Sequence, residues 1–299
     1  VTKKTPVILV DGSSYLFRAY HALPPLTNAK GRPTGAIYGV LNMLKKLLHD
    51  YKPQQIGIVF DSKEKTFRHD LYPDYKATRE VMPEALSQQV EPLLTTIKAL
   101  GLPLVIQPGV EADDVIATLA QKLIKEGQSV LISTGDKDLA QLVNDRITLI
   151  NTMTNRSFSP AEVEEKFGVP PERLVDYLAL IGDTVDNIPG VPKVGPKTAA
   201  KWLQQYGSLD QLMARADEIK GKVGENLRAH LEKLPLFRQL VTVRCDLDLP
   251  ITLTTLTPKP ADRAKLVELF TEFEFKKWLQ EWESEPAAEE LTASPKASY

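Results

Sequence analysis

The sequence has one cysteine and four histidines among 299 residues. A lone cysteine excludes an internal disulfide and suits a reducing compartment. Within "LVTVRCDLDL" Cys245 is expected to be a buried structural thiol. His21, His49, His69 and His230 show no metal-ligand spacing, so nothing here resembles a zinc site. Long apolar runs are also missing. "VILV" is far too short to cross a bilayer, and no secretory leader precedes it, which points to a cytoplasmic protein without membrane contact. Charge of one sign is scarce as well: 37 Lys and Arg stand against 39 Asp and Glu, a net charge of −2. At first sight that balance argues against a nucleic-acid partner.

The distribution of charge says otherwise. Residues 281–299 hold Glu281, Glu283, Glu285, Glu289 and Glu290 against Lys296. Subtracting these five acids from 39 and this one base from 37 leaves 36 bases and 34 acids. If nine further acids belong to one site, 36 bases face 25 acids elsewhere, enough for a basic groove. The first half alternates short apolar runs, "PVILVD", "IGIVFD", "LPLVIQ", "SVLIST" and "RITLIN", with helical patterns near 34–51, 84–100, 111–126 and 138–143. This alternation implies an α/β fold, a mostly parallel central sheet flanked by helices. The second half reads as helical over 160–167, 171–182, 196–206, 208–214, 225–233, 262–270 and 273–282. The expected organisation is an α/β core over 1–170, a helical region over 171–282, and a tail or interdomain linker over 283–299.

In an open parallel sheet, ligands bind beyond the carboxyl ends of the strands. Two of the expected strands end in Asp11 and Asp61, and a third runs into "STGDKD" with Asp136 and Asp138. Glu111, Asp113 and Asp114 open the helix of "VEADDVIATLAQKL" beside its apolar stripe. A helix dipole explains one acid there well and three poorly. "LIGDTVDNIPG" adds Asp183 and Asp186 at a helix end. A lone Asp at a strand end is usually a turn-former or cap. Nine carboxylates at one sheet edge would repel one another without cations, and hard oxygen ligands select Mg²⁺ or Mn²⁺. Nine acids exceed the needs of one such ion, so two are expected, an arrangement suited to phosphoryl transfer.

Three stretches suit nucleic acid. "IPGVPKVGPKTAAKWL" places Gly190, Val191, Lys193, Val194, Gly195 and Lys197 at a tight turn before a helix. It resembles a helix-hairpin-helix, which grips the DNA backbone through free N–H groups. "KEKTFRHDLYPDYKATREVM" interleaves Arg68, Lys76 and Arg79 with Tyr75, a mixture that suits a single strand. "DGSSYLFRAYHALPPL" follows Asp11 with Tyr15, Arg18 and Tyr20. Alone, each is as readily a polar loop or a packed helix.

Together with "VFD", "YKATR", "GVEADDVIATLA", "LISTGDKDLAQLV" and "GDTVDNIPGVPKVGPKTA", these stretches resemble the flap endonuclease family, as in the 5′-nuclease domain of bacterial DNA polymerase I. The likeness reaches about Trp282. It implies that Asp11, Asp61, Glu111, Asp113, Asp114, Asp136, Asp138, Asp183 and Asp186 are metal-site acids. It implies a helical arch over 63–82, with Lys76 and Arg79 on the scissile phosphate and Tyr75 stacked on a base. It implies duplex DNA at 190–197, with K⁺ held by backbone carbonyls. The expected enzyme is a structure-specific 5′-nuclease using two Mg²⁺, with Mn²⁺ able to substitute, acting as a monomer on flapped or nicked duplex DNA. Val1 in place of an initial methionine and the linker-like end suit a fragment of a longer chain carrying a polymerase domain. The rivals are a phosphatase with a covalent aspartate, which lacks a second Asp two residues after Asp11, a non-catalytic DNA-binding module, and a small ribonuclease.

Overall fold

The computed structural model describes residues 5–284 other than Met153 and Asn155. The expected tail over 283–299 lies outside the described residues, apart from the last two residues of the final helix. Six strands form one sheet: β1 (Val7–Asp11), β2 (Ile56–Phe60), β3 (Leu104–Ile106), β4 (Val130–Ser133), β5 (Ile147–Asn151) and β6 (Arg156–Phe158). Their order is β3-β2-β1-β4-β5-β6, and all pairs are parallel except β5 with β6. The helices of the first half are α1 (Gly12–Ala22), α2 (Gly35–Tyr51), α3 (Phe67–Leu71), α4 (Glu84–Ala99), α5 (Ala112–Lys125) and α6 (Pro160–Phe167). The second half adds α7 (Leu174–Ile181), α8 (Pro196–Tyr206), α9 (Leu209–Ala214), α10 (Gly221–His230), α11 (Leu234–Val241), α12 (Arg263–Phe273) and α13 (Lys276–Ser284).

The strands are apolar throughout because both sheet faces are covered. Side chains alternate in direction along β1: Val7 and Leu9 join the core under α5 and α7–α11, while Ile8 and Val10 join the core of α1, α2, α4, α12 and α13. All four are fully buried, each contributing roughly 1.5–3 kcal/mol. Both cores draw residues from either side of residue 170, so the two expected units share their packing. From β1 the chain moves outward to β2 and β3, then returns past β1 to β4. The switch point therefore lies beside the carboxyl end of β1, where a crevice opens in such sheets.

Several local expectations need correction. The helix expected over 138–143 is a 3-10 turn, Asp138–Leu142. The one over 171–182 divides into a 3-10 turn, Pro171–Arg173, and α7. Strand β6 and helix α11 were not foreseen: β6 is three largely exposed residues, and α11 opens on a Leu-Pro pair that Pro tolerates in a first turn. The expected helical arch over 63–82 contains only the five-residue α3, followed by turns. Cys245 is exposed, not buried, in an irregular segment after α11 where its neighbours Arg244 and Asp246 are exposed too. Among the described residues no helix is long and apolar enough to cross a membrane.

Candidate active site

A cleft of about 510 Å³ opens at the switch point. It is lined by Asp11, Asp61, Glu111, Asp113, Asp136, Asp138, Asp183 and Asp186, eight of the nine expected acids. Asp11 ends β1 and caps α1, its Oδ1 accepting from Ser14 N at 2.8 Å and its Oδ2 from Thr134 Oγ1 at 2.7 Å. Asp61 follows β2, and its Oδ1 accepts from Ala112 N at 2.8 Å, so it satisfies a free N–H at the start of α5. Asp136 and Asp138 follow β4, the Asp138 N–H donating to Asp136 Oδ1 at 2.8 Å. Asp183 and Asp186 sit in a loop closed by paired hydrogen bonds between Asp183 and Ile188.

Burial and mutual repulsion dominate the electrostatics. Burial, reinforced by the charges of Asp61 and Asp136, pushes Asp11 up to about 7 against the hydrogen bonds from Ser14 and Thr134. Burial and the Asp136 and Asp183 charges push Asp138 up to about 8. Asp113 is raised well above the carboxylate range by burial, then by Asp136, Asp11, Asp61 and Glu111. Asp136 is raised by burial and by Asp186 and Asp183. Asp183 alone among these shifted acids is lowered: burial opposes ionisation, but the Lys137 ammonium at 2.9 Å outweighs it. The "DKD" motif thus contributes Lys137, which sequence reasoning passed over between its two acids.

The basic side of the cleft comes from the 63–82 segment. Lys76 holds a left-handed backbone, φ 57°, and donates its N–H to Asp186 O at 3.0 Å. Its Nζ lies 2.5 Å from Glu111 Oε1, and Arg79 Nη2 lies 2.5 Å from Asp186 Oδ1. Arg18 also lines the cleft, donating to Asn151 Oδ1 at 3.0 Å. It packs over Gly135, where a Cβ would sit 1.6 Å from its Nη2. Phe17 and Val185 are exposed apolar residues on the same rim, unremarked in the sequence reading.

Other expected site residues are placed differently. Asp114 is fully buried and turned from the cleft, both its oxygens taken by Arg68. Arg68 is 3% exposed and cannot reach DNA. Tyr75 is also buried, its hydroxyl donating to Asp186 Oδ2 at 2.9 Å and to Glu111, so it does not offer a stacking face. Tyr15 is buried beneath the site, bonded to Ser133 and Thr152. Tyr20 lines a separate cavity with Leu23 and Pro24. Of the hairpin residues expected at DNA, Val191 and Val194 are buried while Lys193 and Lys197 are exposed. Gly190 is required by an internal crossing: its Cβ would lie 2.4 Å from Gly182 N. Gly195, capping α8, has open space around it.

Among the described residues no three His, Cys, Asp or Glu side chains are gathered closely enough to hold a metal ion as they stand. Lys76, Arg79 and Lys137 pair with the Glu111, Asp186 and Asp183 carboxylates. The donor set nevertheless fits hard divalent cations. It is all oxygen, it is crowded with like charge, and Asp138 Oδ1 is buried with no hydrogen-bond partner.

Residues 6–168 match the family described as 5′-3′ exonuclease, N-terminal resolvase-like domain, and residues 169–264 match 5′-3′ exonuclease, C-terminal SAM fold. The chain belongs to the 5′-3′ exonuclease family. It is 43% identical over 273 residues to the 5′-3′ exonuclease of Aquifex aeolicus, covering 91% of this chain and 93% of that one. It is 50% identical over 286 residues to DNA polymerase I of Pseudomonas aeruginosa, covering 93% of this chain and spanning 31% of that longer protein. The T5 D15 protein crystallised with metal ions shares the fold, with a TM-score of 0.66 at 23% identity over 92% of this chain and 97% of that one. The catalytic core of Rad2 in complex with DNA substrate gives 0.61 at 16% identity over 93% and 91%. The exonuclease reading of the motifs therefore holds over the non-catalytic module.

Proposed function

We propose that this exonuclease is a structure-specific 5′-nuclease that hydrolyses phosphodiester bonds at 5′ flaps and nicks in duplex DNA. It would work as a cytoplasmic monomer with two divalent ions, Mg²⁺ by preference and Mn²⁺ as substitute. The observation that carries the reading is the meeting of eight carboxylates with Lys76 and Arg79 in one cleft at the sheet's switch point. Asp11, Asp61, Glu111, Asp113, Asp136, Asp138, Asp183 and Asp186 would hold the ions. Divalent ions, when bound, supply an activated water and charge neutralisation at the phosphate.

The chain's own groups do the rest. Lys76 and Arg79, released from Glu111 and Asp186, would bind the non-bridging oxygens of the scissile phosphate and meet the charge that develops there. A water is the nucleophile, so no side chain forms a covalent bond, and the products carry a 5′-phosphate and a 3′-hydroxyl. Lys193, Lys197 and the free N–H groups at the start of α8 would hold duplex backbone. K⁺ would sit at the same turn, and duplex affinity in K⁺ against Li⁺ at equal ionic strength tests that. Selectivity for branched DNA would rest on shape and phosphate contacts, not base edges.

The test is cleavage of four labelled substrates in Mg²⁺: a 5′ flap, a nicked duplex, an intact duplex and a single strand, with an RNA-flap arm. Cleavage of the flap at its junction and of the nicked strand, over the other two, supports the reading. Equal rates on all four would refute structure specificity.

A further inference from the structure

We propose that Arg68 is a positioning residue for the acidic cleft, and that Asp114 is its counter-ion and not a metal ligand. The proposal rests on the metal-dependent nuclease reading and deepens it. Arg68 sits on α3, within the segment that presents Lys76 and Arg79. Its guanidinium has five N–H groups, and each finds an acceptor. Nε donates to Leu240 O at 2.9 Å, and Nη2 donates to Thr242 O and Asp114 Oδ1, both at 2.8 Å. Nη1 donates to Asp114 Oδ2 and to Glu111 Oε2, both at 2.6 Å. One side chain therefore ties three pieces of chain together: the segment that faces the phosphate, the first turn of α5, and the end of α11.

The two acids it joins differ in what remains to them. Asp114 keeps nothing for a metal. Its Oδ1 also accepts from Arg244 N at 2.8 Å, and the residue is 0% exposed and absent from the cleft lining. Glu111 is held by Oε2, which leaves Oε1 facing Lys76 in the cleft. Arg68 thus sets where the Glu111 carboxylate stands relative to Lys76. A lysine at position 68 would keep the charge but could not fill the fork, leaving buried acceptors without donors.

The experiment measures Mn²⁺ stoichiometry and affinity by calorimetry without DNA, then kcat and KM on a 5′-flap substrate in Mg²⁺. The variants are Asp114→Asn, Arg68→Lys and the double Arg68→Met/Asp114→Leu, which replaces the buried ion pair by apolar side chains where a single variant fails to fold. Asp113→Asn serves as the cleft control. We expect Asp114→Asn to bind as many Mn²⁺ ions as the parent while melting lower. Arg68→Lys should keep that number, bind Mn²⁺ roughly 10- to 100-fold more weakly, and lose kcat with KM for DNA within about twofold. The double variant should match Arg68→Lys in ion number. Loss of an ion in Asp114→Asn or in the double variant overturns the proposal, as does unchanged Mn²⁺ affinity and kcat in Arg68→Lys. A parent protein that binds no Mn²⁺ would overturn the metal reading itself and this proposal with it.

Discussion

Two acidic sites share the first turn of α5, and they are opposites. Around Asp113 the carboxylates crowd one another, several are held above their ordinary pKa, and Asp138 Oδ1 has no partner. One residue further on, Asp114 meets an arginine whose every donor is placed. The first arrangement is unfavourable as it stands and calls for a cation from outside the chain. The second is complete within the chain. Sequence shows "ADD" as two equal acids; the satisfaction of their oxygens separates a binding site from a structural pair.

The comparison is broken most severely from the completed side. Removing Asp114 as Asp114→Leu leaves a buried guanidinium short of its main partner, and we expect a loss of about 3–5 kcal/mol in urea unfolding. A loss under 1 kcal/mol would mean that the pair is not closed. On the open side, Lys76→Ala should lower kcat on a 5′ flap by about 10²–10³-fold, some 2.7–4 kcal/mol, with little change in melting temperature. Asp138→Asn should do the reverse of Asp114→Leu. It relieves repulsion and should stabilise the ion-free protein by about 1–3 kcal/mol, while removing metal-dependent cleavage. Asp11 and Asp138 ionise near 7 and 8 in the fold and near 3.8 in the unfolded chain. Between those values the unfolded state has fewer bound protons, so ion-free stability should fall as pH rises from about 4 to about 8, and Mg²⁺ should flatten that slope. The smallest effect belongs to the hairpin. Lys193→Ala or Lys197→Ala should each reduce the salt dependence of duplex binding by about one phosphate contact, leaving metal affinity unchanged.

Much of this was legible because strand ends are legible. Asp11 and Asp61 follow unbroken apolar runs, and a parallel sheet sends such residues to one edge. Inward against outward was not legible for the polar aromatics and arginines. Tyr15, Arg68 and Tyr75 resemble nucleic-acid contacts in sequence, yet each is turned inward by a partner far along the chain: Thr152 for Tyr15, Thr242 for Arg68 and Asp186 for Tyr75. No local pattern encodes those meetings. The close approach of Gly190 to Gly182 was equally hidden, since the two lie on different turns of the chain. Strand β6 escaped because three residues are too few to show a period.

The most direct measurement incubates the protein with a labelled 5′-flap DNA in Mg²⁺ and in EDTA, beside Asp113→Asn, with DNA binding followed separately in Ca²⁺. Cleavage at the flap junction in Mg²⁺, absent in EDTA and in the variant while binding persists, is the result expected of a metal-dependent 5′-nuclease. Cleavage that continues in EDTA, or that survives in Asp113→Asn, would contradict it.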